Sequence, residues 1–236
     1  FVPTCSEKWQ GATRMARELR HVKPSPPALR VLDAGMGDGT VLTRTMRAMH
    51  HQFPNIPFLI VGKEISLEDV RLSIEKMVDR FHEHPHTVFV ATNLYYYEVA
   101  GLTPRNSLPA EFYWREIALE GSTTLDFDRQ ISEQLQPVLS AGWGTRTSPK
   151  TGNPLYVNPS VVVIYRKDHR FALDAVIPRR GEAQEFDFIM ASQPYQARLS
   201  AEVKSRNVLG PLVRALAPGG RMVAVQSTGK DPGMDI

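Results

Sequence analysis

Val31-Leu32-Asp33-Ala34-Gly35-Met36-Gly37-Asp38-Gly39-Thr40 carries an apolar run into an acidic residue, then three glycines at alternate positions, then the start of a helical pattern. Glycine at such a turn reaches φ > 0 and brings no Cβ, so the backbone can approach a ligand closely. The helix that follows offers unpaired N–H groups. The stretch therefore reads as a strand, a nucleotide-type cofactor turn and a helix. Its spacing is G-x-G-x-G, with Thr40 where G-x-G-x-x-G would put its last glycine. A dinucleotide site uses that glycine for close helix–strand packing around a pyrophosphate, so the spacing argues against NAD or FAD.

Outward from this turn the chain alternates between strand and helix patterns. A first strand covers 29–34 and a first helix 39–53. Phe58-Leu59-Ile60-Val61-Gly62 is a continuous apolar run, as a strand buried on both faces requires. A helix over 67–82 follows, with apolar residues at helical spacing and Ser66 as N-cap three residues before Asp69. A third strand spans 87–91. The alternation resumes with a strand from Phe186, a helix over 201–216, the turn Ala217-Pro218-Gly219-Gly220-Arg221 and a last strand over 222–226. This order predicts an α/β, Rossmann-like, doubly wound and mostly parallel sheet. Residues 1–27 form an N-terminal helix, over 6–21, and a Pro-rich connector. Residues 28–94 and 183–236 make the core, and 95–182 form a large inserted α+β substrate cap between strands three and four.

The acidic lead residue, the glycine spacing and the later L-x-P-G-G pattern together resemble class I S-adenosylmethionine-dependent methyltransferases over 29–94 and 183–228, in that family's order. The resemblance implies S-adenosyl-L-methionine as cofactor. Asp33, Ala34, Gly35, Met36, Gly37, Gly39 and Thr40 would surround its amino-acid half. Glu64, followed by Ile65, would stand at the ribose, where an acceptor-only carboxylate takes two hydrogen bonds from a diol. Asn93 and Leu94 match the adenine position, and Ser192 ends the strand that faces the transferable methyl group. Ser192-Gln193-Pro194-Tyr195 partly resembles the N/D-P-P-Y/F motif of amino-group methyltransferases and departs from it in its first two letters. Gln193, Pro194 and Tyr195 are the expected substrate side, with Tyr195 also a catalytic candidate. The loop's Gly37-Asp38-Gly39 is also similar to aminopropyltransferases, which need an Asp where this chain has Ser192.

Residues 95–182 hold eleven of the chain's twenty aromatic residues and ten Lys/Arg against ten Asp/Glu. A neutral, aromatic segment fits an apolar substrate pocket better than a phosphate-tracking surface. Tyr95, Tyr96 and Trp114 are its candidate substrate contacts, and Glu98, Glu116 and His169 the candidate general bases. Within it, 160–165 and 171–177 read as a hairpin around Lys167-Asp168-His169, and 125–139 as a helix.

The 236 residues are 42% hydrophobic, with no apolar stretch approaching the ~20 residues of a membrane span and no secretory signal. The expectation is a cytoplasmic chain with trimmed ends, since it opens without Met. Cys5 is the lone cysteine and reads as a surface thiol, so no disulfide is expected, nor any metal. Residues 1–30 carry six Lys/Arg against two acids within a net charge of +3, and Arg14, Arg17 and Arg20 share one helix face. A solvated face explains them, and nucleic acid is not the expected partner. A small-molecule methyltransferase with an aromatic or amine-bearing acceptor is the leading expectation. An RNA or protein N-methyltransferase is the alternative, followed by an aminopropyltransferase-like enzyme or a non-catalytic cofactor-binding subunit. Homodimerisation is open.

Overall fold

The computed structural model describes residues 2–105, 111–147, 154–192, 194 and 200–226, without the side chains of 2–7 and 154–156. Five strands lie parallel: β1 (Leu29–Ala34), β2 (Phe58–Lys63), β3 (Thr87–Thr92), β8 (Phe186–Ser192) and β9 (Leu216–Val225). β7 (Ser160–Arg166) adds antiparallel to β3, and β4 (Tyr113–Leu119) runs parallel to β7. The seven-stranded order is β4-β7-β3-β2-β1-β8-β9, an α/β sheet compatible with a Rossmann-like fold.

Helices cover both faces, which is why β2, β3 and β7 are buried along their whole length. On one face lie α1 (Val2–Leu19), α2 (Thr40–Gln52), α3 (Leu67–Glu83) and α5 (Thr124–Gly142), each packed against the next. α2 turns Leu42, Met46 and Met49 inward, and α3 turns Val70, Ile74, Met77 and Phe81. The Ser66 hydroxyl caps α3 by accepting from Asp69 N at 3.3 Å. The other face holds α4 (Tyr96–Val99), α6 (Arg170–Leu173), α7 (Ala201–Lys204) and α8 (Gly210–Arg214). No helix among the described residues is long and apolar enough to cross a membrane.

The elements from β1 to β3 follow the sequence pattern to within two residues at each end, α1 starts four residues before the expected 6–21, and three later elements differ from it. The hairpin expected around Lys167 does not form: a 3-10 turn, Lys167–His169, runs straight into α6. β7 instead pairs with β3 and β4, where its unbroken apolar run is covered on both sides. The helix expected over 201–216 is interrupted by a π turn, Ser205–Leu209, and Leu216 already pairs with Phe186. The Pro-Gly-Gly turn becomes a bulge in β9, with Gly219 at φ 80°. Segment 95–182 adds β4 and β7 to the main sheet and α5 to its helical layer. Its remaining strands, β5 (Thr145–Thr147) and β6 (Pro154–Tyr156), form a separate pair. Cys5 lies outside the described side chains.

Two polar groups lock the lower end of the sheet, away from the glycine turn. Buried Asp187 accepts from Ser25 N and Arg30 N at 3.2 and 2.8 Å, tying the Pro-rich connector to β8. His84 stacks on Phe58 at 3.7 Å, shares a proton position with His50 over 2.9 Å, and has Nε2 2.9 Å from the Ile56 carbonyl. Burial, with His50 and His86 adding to it, outweighs the Ile56 bond and lowers the imidazole to about 4. The unfolded chain therefore binds the extra proton between pH 6.5 and 4, and stability is lost as pH falls through that window. The advantage of wild type over His84→Gln should shrink by up to about 3 kcal/mol from pH 7 to pH 4 in urea denaturation; a pH-independent difference would refute this assignment.

Candidate functional site

In a parallel sheet the loops that can hold a ligand leave the carboxyl ends of the strands, and here four of them converge. The turn after β1 holds Gly35, Gly37 and Gly39 at φ 95°, 53° and 73°. A Cβ on Gly39 would stand 2.8 Å from Ser73 Oγ and 3.0 Å from Ser73 Cα, so this glycine lets α2 start directly against α3. The close packing that a fingerprint glycine would supply at Thr40 is thus met one residue earlier. A Cβ on Gly35 would lie 3.4 Å from the Ser192 carbonyl, on the end of β8. Gly35 N and Met36 N both donate to the Lys63 carbonyl, at 3.0 and 3.1 Å, and Met36 folds back over Gly62.

Glu64 joins the β1 and β2 loops. Its Oε2 accepts from Gly37 N at 2.8 Å, and its Oε1 from Ile65 N and Ser66 N at 2.6 and 2.9 Å. Its own N–H donates to the Thr92 carbonyl and its carbonyl accepts from Trp143 Nε1, both at 2.9 Å, so β3 and α5 are tied in as well. A carboxylate offers about four acceptor positions, which leaves one for a ligand. Ile65 stands beside it, 47% exposed.

The charges around this edge are of two kinds. Asp38 is satisfied: Lys8 and Lys76 each reach it at 3.0 Å, and Thr40 donates through both N and Oγ1. Burial raises this carboxyl, but those bonds outweigh it and hold it far below the usual carboxylate range. Asp33 is buried with Oδ2 unpartnered, and burial first, then the Glu64 charge, pushes it up to about 7. Lys63 is 8% exposed and lowered to about 8 by burial, the Glu64 charge opposing. Its Nζ stands over the Tyr96 ring at 5.0 Å. Tyr96 lies across the strand ends, its hydroxyl donating to the Pro194 carbonyl at 3.1 Å and standing 3.9 Å from the Gly35 Cβ position. Burial, then the Glu64 and Asp33 charges, keep this phenol neutral, pushed up to about 12.

The structure brings together Asp33, Ala34, Gly35, Met36, Gly37, Gly39, Thr40, Glu64, Ile65, Ser192, Pro194 and Tyr96. Gln193 and Tyr195 lie outside the described residues. Other expectations are corrected. The Asn93 amide, assigned to adenine, is committed within the fold: Nδ2 donates to the Gly142 and Asn158 carbonyls, both at 3.0 Å, and Oδ1 accepts from Ser160 N. Leu94 is buried in the core. Glu98, assigned as a base, caps α4 by accepting from Tyr95 N and Arg105 N at 3.0 and 2.9 Å. His169 is at the opposite end of the sheet, because β7 runs antiparallel to β3, and it pairs there with His86 over 3.2 Å. Trp114 and Glu116 sit on edge strand β4, four strands from β1 and so roughly 19 Å away. Tyr95 faces outward, 63% exposed and stacked on Tyr97. Arg14 and Arg17 are exposed on α1 and Arg20 in the turn that follows it, and a surface groove is formed by Trp9, Ala12, Thr13, Ala16, Arg44 and Arg47.

Lys63 was missed by sequence reasoning. The available signal was a cation closing an otherwise apolar strand, directly before the acidic residue.

Comparison with protein-family models yields no match, and none appears among curated proteins.

Asp33 gives this site a pH signature. Its folded-state value, raised from 3.8 to about 7, means stability is present at low pH and lost as pH rises through 7. Asp33→Asn should therefore stabilise the protein at pH 8 by on the order of 3 kcal/mol, the gain fading toward pH 4; thermal melts across that range test it.

Proposed function

We propose that this chain is an S-adenosylmethionine-dependent methyltransferase acting on a small organic acceptor. The observation that carries the reading is the Glu64 carboxylate, hydrogen-bonded to the glycine turn through Gly37 N at the carboxyl edge of a parallel sheet. The residues present fit such a cofactor: a glycine turn held at positive φ at Gly35, Gly37 and Gly39, an orphaned Asp33 Oδ2, and one acceptor position left on Glu64. Asp33 and the turn 35–39 would hold the amino-acid part and Glu64 the ribose, with Ile65 offering an apolar face to the base.

The cofactor, when bound, supplies an electrophilic methyl group on a sulfonium. The protein's part is alignment and exclusion of water, since an in-line displacement needs its nucleophile held against the reacting carbon. Ser192 and Pro194, with Tyr96 bridging to them, frame the acceptor side in this proposal. The inserted cap is retained in a reduced form, as the loop and strand segments of 95–182 that border this edge. Many of that segment's rings, including Phe127, Trp143 and Tyr165, are buried and serve as core.

A second reading, a nucleic-acid acceptor, is favoured by one observation: Arg44 stacks over the exposed Trp9 ring at 4.9 Å in the basic α1–α2 groove. Steeply salt-dependent RNA binding would select it.

Calorimetric titration with S-adenosylmethionine and S-adenosylhomocysteine tests the cofactor. Binding of both is expected, and Glu64→Ala should weaken it roughly ten- to hundredfold through loss of a charge-assisted bond worth about 1.5–3 kcal/mol. No binding to the wild-type chain would overturn the proposal.

A further inference from the structure

We propose that Lys63 receives the carboxylate of the acceptor, so that the substrate class is a small organic acid. This rests on the methyltransferase reading above. Lys63 ends β2 with its side chain on the same face as Val61 and Tyr96, where the second core packs. No hydrogen bond or ion pair among the described residues reaches its Nζ. Its contact is the face of the Tyr96 ring, a partial substitute for a counter-charge.

A buried ammonium with no hydrogen-bonded counter-ion destabilises a fold, and a Met side chain would fill the same space without that penalty. The other lysines of this region differ: Lys8 and Lys76 fasten the glycine turn through Asp38. Lys63 Nζ fastens nothing. The nearest charge, Glu64, favours the ammonium through space but makes no hydrogen bond to it. Glu64 turns its oxygens to the Gly37, Ile65 and Ser66 N–H groups, Asp33 projects to the opposite face of the sheet, and the Tyr96 hydroxyl donates to Pro194. The charge is thus placed at the carboxyl edge with its counter-ion left to a ligand. A single ammonium carries one positive charge, which one carboxylate balances, whereas a phosphate dianion would leave negative charge uncompensated in a buried position.

The test is Lys63→Met, which leaves intact the backbone carbonyl that anchors Gly35 and Met36. Wild type and variant, free and saturated with S-adenosylhomocysteine, are titrated with benzoate and with its neutral counterpart benzamide. Wild type should prefer benzoate at least tenfold, and the variant should lose that preference while keeping its S-adenosylhomocysteine affinity and an equal or higher melting temperature. No benzoate preference in wild type, or one that survives the substitution, overturns the proposal. A lowered melting temperature does so too, by making the ammonium structural. If the variant loses S-adenosylhomocysteine affinity but still binds 5′-methylthioadenosine, which lacks the carboxylate, the anion is the cofactor's own and the acceptor assignment falls. If wild type binds no S-adenosylhomocysteine, the methyltransferase reading fails separately. A Lys63-dependent benzoate preference in the free protein would then still uphold the anion site.

Discussion

A parallel sheet brings its carboxyl ends to one edge, but it does not by itself hold the loops that leave them. Here that task falls on Glu64. Its three accepted N–H bonds join the glycine turn after β1 to the start of α3, and its backbone groups reach β3 and Trp143. A backbone N–H at the crest of a turn is exposed to competition from water, and a carboxylate is the acceptor that holds it most strongly. The turn conformation, the approach of α2 to α3 through Gly39, and the position of Ser192 against Gly35 all follow from keeping that loop in place.

The same edge concentrates groups the fold leaves unsatisfied. Asp38, a few residues away, has two lysines and a threonine; Asp33 has an orphaned oxygen, and Lys63 has an aromatic face and the Glu64 charge but no hydrogen bond. At the lower end of the sheet the polar groups are matched, Asp187 by two N–H groups and His84 by His50 and Ile56. Imbalance at Asp33 and Lys63, side by side at the carboxyl edge, is the pattern expected where binding, rather than folding, completes the interactions.

Segment 95–182 shows how composition misleads about architecture. Its aromatic richness reads as a pocket lining, yet Trp143 uses its indole N–H to hold Glu64, Tyr165 and Phe127 are core, and β7 is a fully buried strand. An apolar residue looks the same in sequence whether it faces a substrate or a neighbouring helix. Only strand pairing separates the two, and it puts β7 beside β3.

Legible in the local sequence are the strand–turn–helix at 31–40, the cap at Ser66, the apolar periodicity of α2 and α3, and the continuous apolar run of β2. Each is written in residues close together in the chain, through propensity, capping and the period of the buried face. The glycine turn, Glu64 and the Ser192 end were legible for the same reason, because parallel order places every strand end on one edge. Tertiary structure alone decided which polar groups are free. Asn93 is spent on bonds to residues 49 to 67 positions away, His169 is sent to the far end by an antiparallel strand, and Lys63 is buried against the Tyr96 ring with no hydrogen bond. Availability for chemistry depends on what else lies within hydrogen-bonding distance, and that is fixed by long-range packing that no local pattern encodes.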